Sequence, residues 1–196
     1  DGRVLGLARA VRHDGTPAGT LSRVDGIQRL AEGADLVHLD QDRVGSALVV
    51  GGASGIGWAT AQGLAAQGYR VTIADRNAEL AEARSAELGA PHTAVAVEVT
   101  DEASVAAVFE QTGELDAVVS CAGFSTFGLI VDMPVEDFRA VVDCCLTGSF
   151  IVTKYAGQKL REGGSLVCIS SLNGRQPAIG MSAYSAAKAG LSMLTE

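Results

Sequence analysis

The sequence predicts an α/β fold in which a parallel sheet is wound on both faces with helices. Three observations predict it. Short apolar runs of strand character alternate with helical patterns from residue 44 onward, the mark of a parallel sheet with crossover helices. A glycine-rich turn, Gly51-Gly52-Ala53-Ser54-Gly55-Ile56-Gly57, joins the first of those strands to the first of those helices. With 196 residues, 47% of them hydrophobic and 24 of them glycine, the chain has apolar surface for one substantial core and tight turns enough to wind it.

Taken in order, residues 1–43 form an N-terminal extension of unknown role, and residues 44–196 form the dinucleotide-binding domain. Within the extension Val4 to Leu7 and Ala34 to Leu39 have strand character and Gly26 to Glu32 a short helical pattern. It reads as a poorly ordered extension or extra edge structure, with a regulatory or partner-binding segment as the alternative. A further expectation is that it lies along an open edge of the sheet. Beyond it, strands are predicted over Ala47 to Val50, Arg70 to Ala74, Ala94 to Val99, Ala117 to Ser120 and Ser165 to Ser170. Helices are predicted over Ile56 to Gln67, Ala78 to Leu88, Glu102 to Gln111, Pro134 to Leu160 and from Ser182 on. Pro134 suits the first turn of its helix, where a missing N–H costs nothing. The length of that helix suggests a partner subunit on one side and the sheet on the other.

The glycine turn carries the first chemistry. Glycines let the backbone turn sharply and approach a pyrophosphate closely, while the free N–H groups and dipole at the start of the next helix favour an anion. Such a site calls for an acid about twenty residues on, at the end of the next strand, and Asp75 stands eighteen residues after Gly57. Its carboxylate accepts hydrogen bonds from ribose hydroxyls. It would repel a 2′-phosphate by a few kcal/mol at about 4 Å and an effective dielectric near ~20. NAD is therefore favoured over NADP, with Arg76 next door softening the preference. The bland alternative is a glycine turn that merely caps an α/β helix.

Tyr184 and Lys188 carry the second. Four residues apart on a helix, the phenol and the ammonium project from one face. An isolated tyrosine titrates near pKa ~10, so proton transfer near neutrality asks for about 3 to 4 kcal/mol of differential stabilisation of the phenolate. An ammonium held close in a dry site supplies that. Ser171 lies thirteen residues upstream.

These motifs, in this order and spacing, resemble the short-chain dehydrogenase/reductase family of the Tyr-x-x-x-Lys type over roughly Val44 to Glu196. The family's Thr-Gly-x-x-x-Gly-x-Gly is met at Gly51, Gly55 and Gly57, with Val50 where threonine is usual. The resemblance implies a Rossmann-like doubly wound sheet. It also implies Tyr184 as general acid or base, Lys188 as the group that lowers its pKa and holds the nicotinamide ribose, and Ser171 as the group that orients the substrate oxygen. The cofactor-binding set it implies is Gly51, Ser54, Gly55, Ile56, Gly57, Asp75, Glu98, Val99, Ala122, Gly123, Tyr184 and Lys188. Departures are Ser120-Cys121-Ala122-Gly123 where Asn-Asn-Ala-Gly is usual, Glu98 for aspartate, and Cys145 for the asparagine that completes a tetrad. The family continues through two further strands and a substrate-covering loop, so the C-terminal part of the usual fold is expected to be absent from the chain.

The expected function is an NAD(H)-dependent oxidoreductase that interconverts an alcohol and a ketone or aldehyde. A non-catalytic dinucleotide-binding or scaffold protein of the same fold is the alternative. A homodimer or homotetramer follows from the resemblance. A net charge of −8 without a basic run argues against nucleic acid. No apolar run reaches the ~18 residues of a membrane span and the N-terminus has no signal-peptide layout, so a cytoplasmic protein without a membrane partner is expected. Cys121, Cys144, Cys145 and Cys168 lack metal-type spacing, and His13, His38 and His92 are scattered, so no metal is expected and the thiols read as free.

Overall fold

The computed structural model describes residues 7–12, 17–22 and 44–195. Its centre is a parallel sheet whose first four strands alternate with helices. These are β3 (Ser46–Val50), α1 (Gly55–Ala66), β4 (Arg70–Asp75), α2 (Ala78–Leu88), β5 (Thr93–Ala96), α3 (Glu102–Thr112) and β6 (Leu115–Ser120). The chain continues through α4 (Val135–Val142), a π-helical turn (Asp143–Thr147), α5 (Gly148–Lys159), β7 (Leu160–Ile169) and α6 (Ser182–Leu194). Two earlier strands, β1 (Leu7–Arg12) and β2 (Pro17–Ser22), extend the sheet to the order β2-β1-β7-β6-β3-β4-β5.

Alternation along each strand explains the double winding. In β3, Ala47 and Val49 face one side and Leu48 and Val50 the other, all at most 1% exposed. The first side packs Ala61 and Leu64 of α1 and Ala81 of α2 onto the sheet. The second packs Val105, Val108 and Phe109 of α3, Val152 and Ala156 of α5 and Leu191 of α6. A strand apolar on both faces belongs in the middle of a covered parallel sheet. Each large side chain so buried contributes about 1.5–3 kcal/mol.

Helix starts follow local chemistry. Asn77 caps α2 by accepting from Leu80 N at 3.0 Å, and Asp101 caps α3 by accepting from Ala103 N at 2.9 Å. α1 differs, because Ser54 at its N-cap makes no side-chain capping bond. Its first-turn N–H groups are left for another partner.

Several elements depart from expectation. β5 ends at Ala96, three residues early, because Glu98 accepts from Thr100 N and Thr100 Oγ1 and folds its own turn away from the sheet. The expected helix from Pro134 to Leu160 ends at Lys159 and contains the π-helical turn, which carries an extra residue without interrupting αR backbone on either side. β7 begins at Leu160, five residues before the expected start. Of the expected strand at Val4 to Leu7, Leu7 opens β1 and Val4 to Gly6 lie outside the described residues, as do the patterns at Ala34 to Leu39 and Gly26 to Glu32. β1 runs antiparallel along β7, from Ala8 opposite Ile169 to Arg12 opposite Ser165. The N-terminal segment thus occupies the sheet edge that the sequence reading left open.

Strand order positions the site. From β3 the chain steps outward to β4 and β5, then returns to the other side of β3 for β6 and β7. A crevice forms where the direction reverses, beyond the carboxyl ends of β3 and β6. The glycine turn leaves β3 there and Cys121-Ala122-Gly123 leaves β6.

Candidate active site

A cleft of about 720 Å³ opens at that reversal point. Its walls include Gly51, Ser54, Gly55, Ile56 and Gly57 from the turn, Asp75 at the end of β4 and Arg76 after it, and Val97, Glu98, Val99 and Thr100 after β5. Ala122 and Gly123 come from the end of β6, Cys144 from the π-turn, and Tyr184 and Lys188 from α6. The structure therefore brings all twelve residues of the sequence-derived cofactor set to one cavity. Ser171 is not a wall of it and meets it through Tyr184.

The turn is built to close on itself. Gly51 has φ +74° and Gly55 φ +53°, left-handed conformations that glycine adopts without strain. A Cβ at Gly57 would lie 2.0 Å from the Gly51 carbonyl oxygen, so only glycine lets α1 start against the turn. At Gly55 a Cβ would meet nothing within 4 Å, so that position is open space beside the uncapped helix start. This concave surface of glycine backbone fits the phosphates of a dinucleotide.

Acidic positions are less free than their sequence suggests. Asp75 accepts from Ala53 N and from Asn77 N, each at 3.1 Å, which braces the turn against the end of β4. Glu98 spends one carboxylate oxygen on Thr100. Trp58 carries the Arg84 guanidinium over its ring at 4.7 Å.

At the other end of the cleft, Ser171 caps a short 3-10 turn, Leu172–Gly174, and accepts from Asn173 N at 3.2 Å. Its hydroxyl also draws the Tyr184 phenol downward. Lys188 is 3% exposed and donates to Ile169 O at 2.6 Å, with its nitrogen 5.6 Å from the Tyr184 ring centre. Here the electrostatic expectation is corrected. Burial holds the Tyr184 phenol above its ordinary range, outweighing the pull of the Ser171 hydroxyl in the other direction. Lys188 is itself held below the ordinary lysine range by burial, and its ammonium is aimed at the end of β7. The tyrosine is therefore neutral and protonated in this state.

Cys145 stands where the resemblance expects asparagine. It is fully buried, and its sulfur donates to Phe124 O at 3.3 Å, tying the π-turn to the segment after β6. Sequence reasoning placed Arg76 beside the ribose without including it in the binding set, and did not assign Val97, Thr100, Cys121, Phe124, Ala140, Asp143, Cys144 or Ile169 to the cleft, although all line it. Proximity to an assigned residue was the only signal for most of them. For Asp143 and Cys144 the signal was their place beside Cys145, which stands at the asparagine position of the resemblance. Among the described residues no three His, Cys, Asp or Glu side chains group as a metal site, and no helix is long and apolar enough to cross a membrane.

Residues 45–196 match the family model described as short chain dehydrogenase. The chain belongs to the short chain dehydrogenase family. Among curated relatives of this family, a mouse (Mus musculus) 3-oxoacyl-[acyl-carrier-protein] reductase is 37% identical over 148 residues, covering 73% of this chain and 63% of its own. A 2-dehydro-3-deoxy-L-rhamnonate dehydrogenase (NAD(+)) of Sphingomonas sp. (strain SKA58) is 34% identical over 157 residues, covering 76% and 63%. A solved short chain dehydrogenase/reductase family protein superposes with a TM-score of 0.70 at 29% identity, covering 76% of this chain and 64% of that one. The chain spans a little under two thirds of the length of the curated relatives it matches.

Proposed function

We propose that this chain belongs to an NAD(H)-dependent oxidoreductase that interconverts an alcohol and a ketone or aldehyde. The observation that carries this reading is the meeting of the glycine turn, Asp75 and the Tyr184–Lys188 pair in a single cleft. Relatives with reductase and dehydrogenase names, one of them named for NAD(+), support it.

The glycine turn and the uncapped start of α1 hold the pyrophosphate through backbone N–H groups. Asp75 takes the adenosine ribose hydroxyls, which favours NAD(H) over the phosphorylated form. When bound, the nicotinamide ring supplies or accepts the hydride. Tyr184 moves the proton. A neutral phenol suits the reductive direction, in which the substrate oxygen gains a proton from the tyrosine oxygen. Ser171 orients the substrate oxygen beside that phenol, and Lys188 holds the nicotinamide ribose. The remaining cleft admits a small-molecule alcohol or carbonyl compound. Exposed Phe138, Phe150 and Met193 on α4, α5 and α6 support a homodimer or homotetramer through these helices.

The test begins with nucleotide. Exciting Trp58, the single tryptophan, during titration with NADH and separately NADPH is expected to show energy transfer with NADH the tighter ligand. Equal or tighter NADPH would remove the assignment of Asp75. Tyr184→Phe is then expected to lower turnover by about 10²- to 10⁴-fold with NADH affinity nearly unchanged. Binding without turnover in the unaltered protein would favour the non-catalytic reading.

A further inference from the structure

The start of α1 is held from outside the cleft by a side chain that the proposed chemistry does not use. Arg84, on α2, donates from Nε to the Ala53 carbonyl oxygen at 3.3 Å. Its guanidinium lies 4.7 Å from the centre of the Trp58 ring, and its Nη1 donates to Glu87 Oε2 at 2.7 Å. A rigid planar fork of N–H donors can hold a carbonyl, a carboxylate and a ring face together. The Arg84–Glu87 pair is a partly exposed (i, i+3) contact, which by itself contributes little. The bond to Ala53 is the one with a consequence.

Ala53 sits inside the phosphate-binding turn and is wholly buried. Both of its backbone polar groups are taken by side chains from other elements, the N–H by Asp75 Oδ2 at 3.1 Å and the oxygen by Arg84. The Ala53 carbonyl shares one planar trans peptide unit with the Ser54 N–H, and in such a unit the two bonds point in opposite directions. Ser54 and Gly55 are walls of the cleft, whereas Ala53, Trp58 and Arg84 are not. Holding the oxygen toward α2 therefore turns the Ser54 N–H toward the cleft. A cation on the carbonyl also polarises the peptide, which makes that N–H a stronger donor.

We propose that Arg84 is a positioning residue for the dinucleotide, one that aims the Ser54 peptide of the glycine turn at the pyrophosphate from the far side of the turn. The inference rests on the dinucleotide reading of the cleft. Arg84 acts through the backbone and not by touching the ligand. Donors already fixed before binding need no ordering by the nucleotide, so the gain is in affinity. Trp58 is the platform that keeps the guanidinium in register with Ala53.

The experiment compares Arg84→Met, which keeps an apolar stem without donor or charge, with Arg84→Lys, whose ammonium can still donate to Ala53 O and lie over Trp58. Calorimetric titration with NADH reads affinity, and amide hydrogen exchange of the nucleotide-free protein reads the turn. Arg84→Met is expected to bind NADH at least about fivefold more weakly. Its amides at 54–57 should exchange at least about tenfold faster, with exchange along β3 unchanged. Arg84→Lys should stay within about threefold of the parent in both readings. Parental affinity or parental exchange in Arg84→Met, or a lysine variant no better than the methionine one, would overturn the proposal. Should Arg84→Met lose its native circular dichroism, Arg84→Gln, neutral and shorter in reach, takes its place with the same expectations. An unaltered chain that binds no NADH would sink the dinucleotide reading and this proposal together. Binding by the unaltered chain with parental behaviour in Arg84→Met sinks this proposal alone.

Discussion

An alanine at position 57 perturbs the glycine turn by a single methyl group. Its Cβ would lie 2.0 Å from the Gly51 oxygen, 2.8 Å from the Gly51 carbonyl carbon and 3.0 Å from Gly52 Cα. Carbon and oxygen rest comfortably at about 3.3 Å or more, so the turn must open by roughly 1 Å. All three contacts are backbone, and the backbone is held. Gly51 N donates to Ala74 O at 2.7 Å, and Gly51 sits so close to the end of β6 that its own Cβ would be 2.7 Å from Ala122 N. Overpacking costs about 1–3 kcal/mol, and a clash with anchored backbone belongs at the upper end. For a domain of this size ~1 kcal/mol moves Tm by about 2–4 °C, so Gly57→Ala is expected to melt about 6–12 °C lower. The displaced N–H groups should also weaken NADH binding by at least about tenfold, or ~1.4 kcal/mol. Thermal denaturation and Trp58 fluorescence read the two effects. Gly157→Ala on α5, where a Cβ meets nothing within 4 Å, is the control and should melt at or above the parent temperature. A Gly57→Ala protein with parental Tm and parental NADH affinity would refute the steric reasoning.

Two other outcomes follow from the same geometry. Because burial raises the Tyr184 phenol, its folded pKa lies above its unfolded one. The stability it contributes is complete below the unfolded pKa and is lost as pH rises through the folded pKa. In nucleotide-free protein the phenolate absorbance that disappears in Tyr184→Phe should therefore emerge only above about pH 10, and its emergence near neutrality would restore the lysine-lowered tyrosine. Ala10 in β1 stands opposite Val167 between β2 and β7. Ala10→Pro should disturb the β1–β7 ladder, since a proline ring does not fit inside a central strand, and speed amide exchange along 165–169, whereas unchanged exchange there would contradict the β1–β7 pairing.

What the sequence determined by itself is local. The apolar runs and turn residues placed α2 at Ala78–Leu88, its observed span, and put the other helix and strand starts from Ser46 to Leu115 within two residues. Four-residue spacing on a helix put Tyr184 and Lys188 together in the cleft, because that relation is a property of the helix alone. Gly51, Gly55 and Gly57 were legible for the same reason, since a sharp turn constrains the residues that make it. Tertiary structure decided the rest. No pattern within residues 1–43 names Ile169 as the partner of Ala8, since strand pairing is chosen by which edge is free. Nor does spacing show that Lys188 spends its proton on Ile169 O, that burial governs the Tyr184 phenol, or that Cys144 faces the cleft with Cys145 behind it. Hydrogen-bond partners and local dielectric depend on atoms brought together from distant parts of the chain, and only the packed fold supplies them.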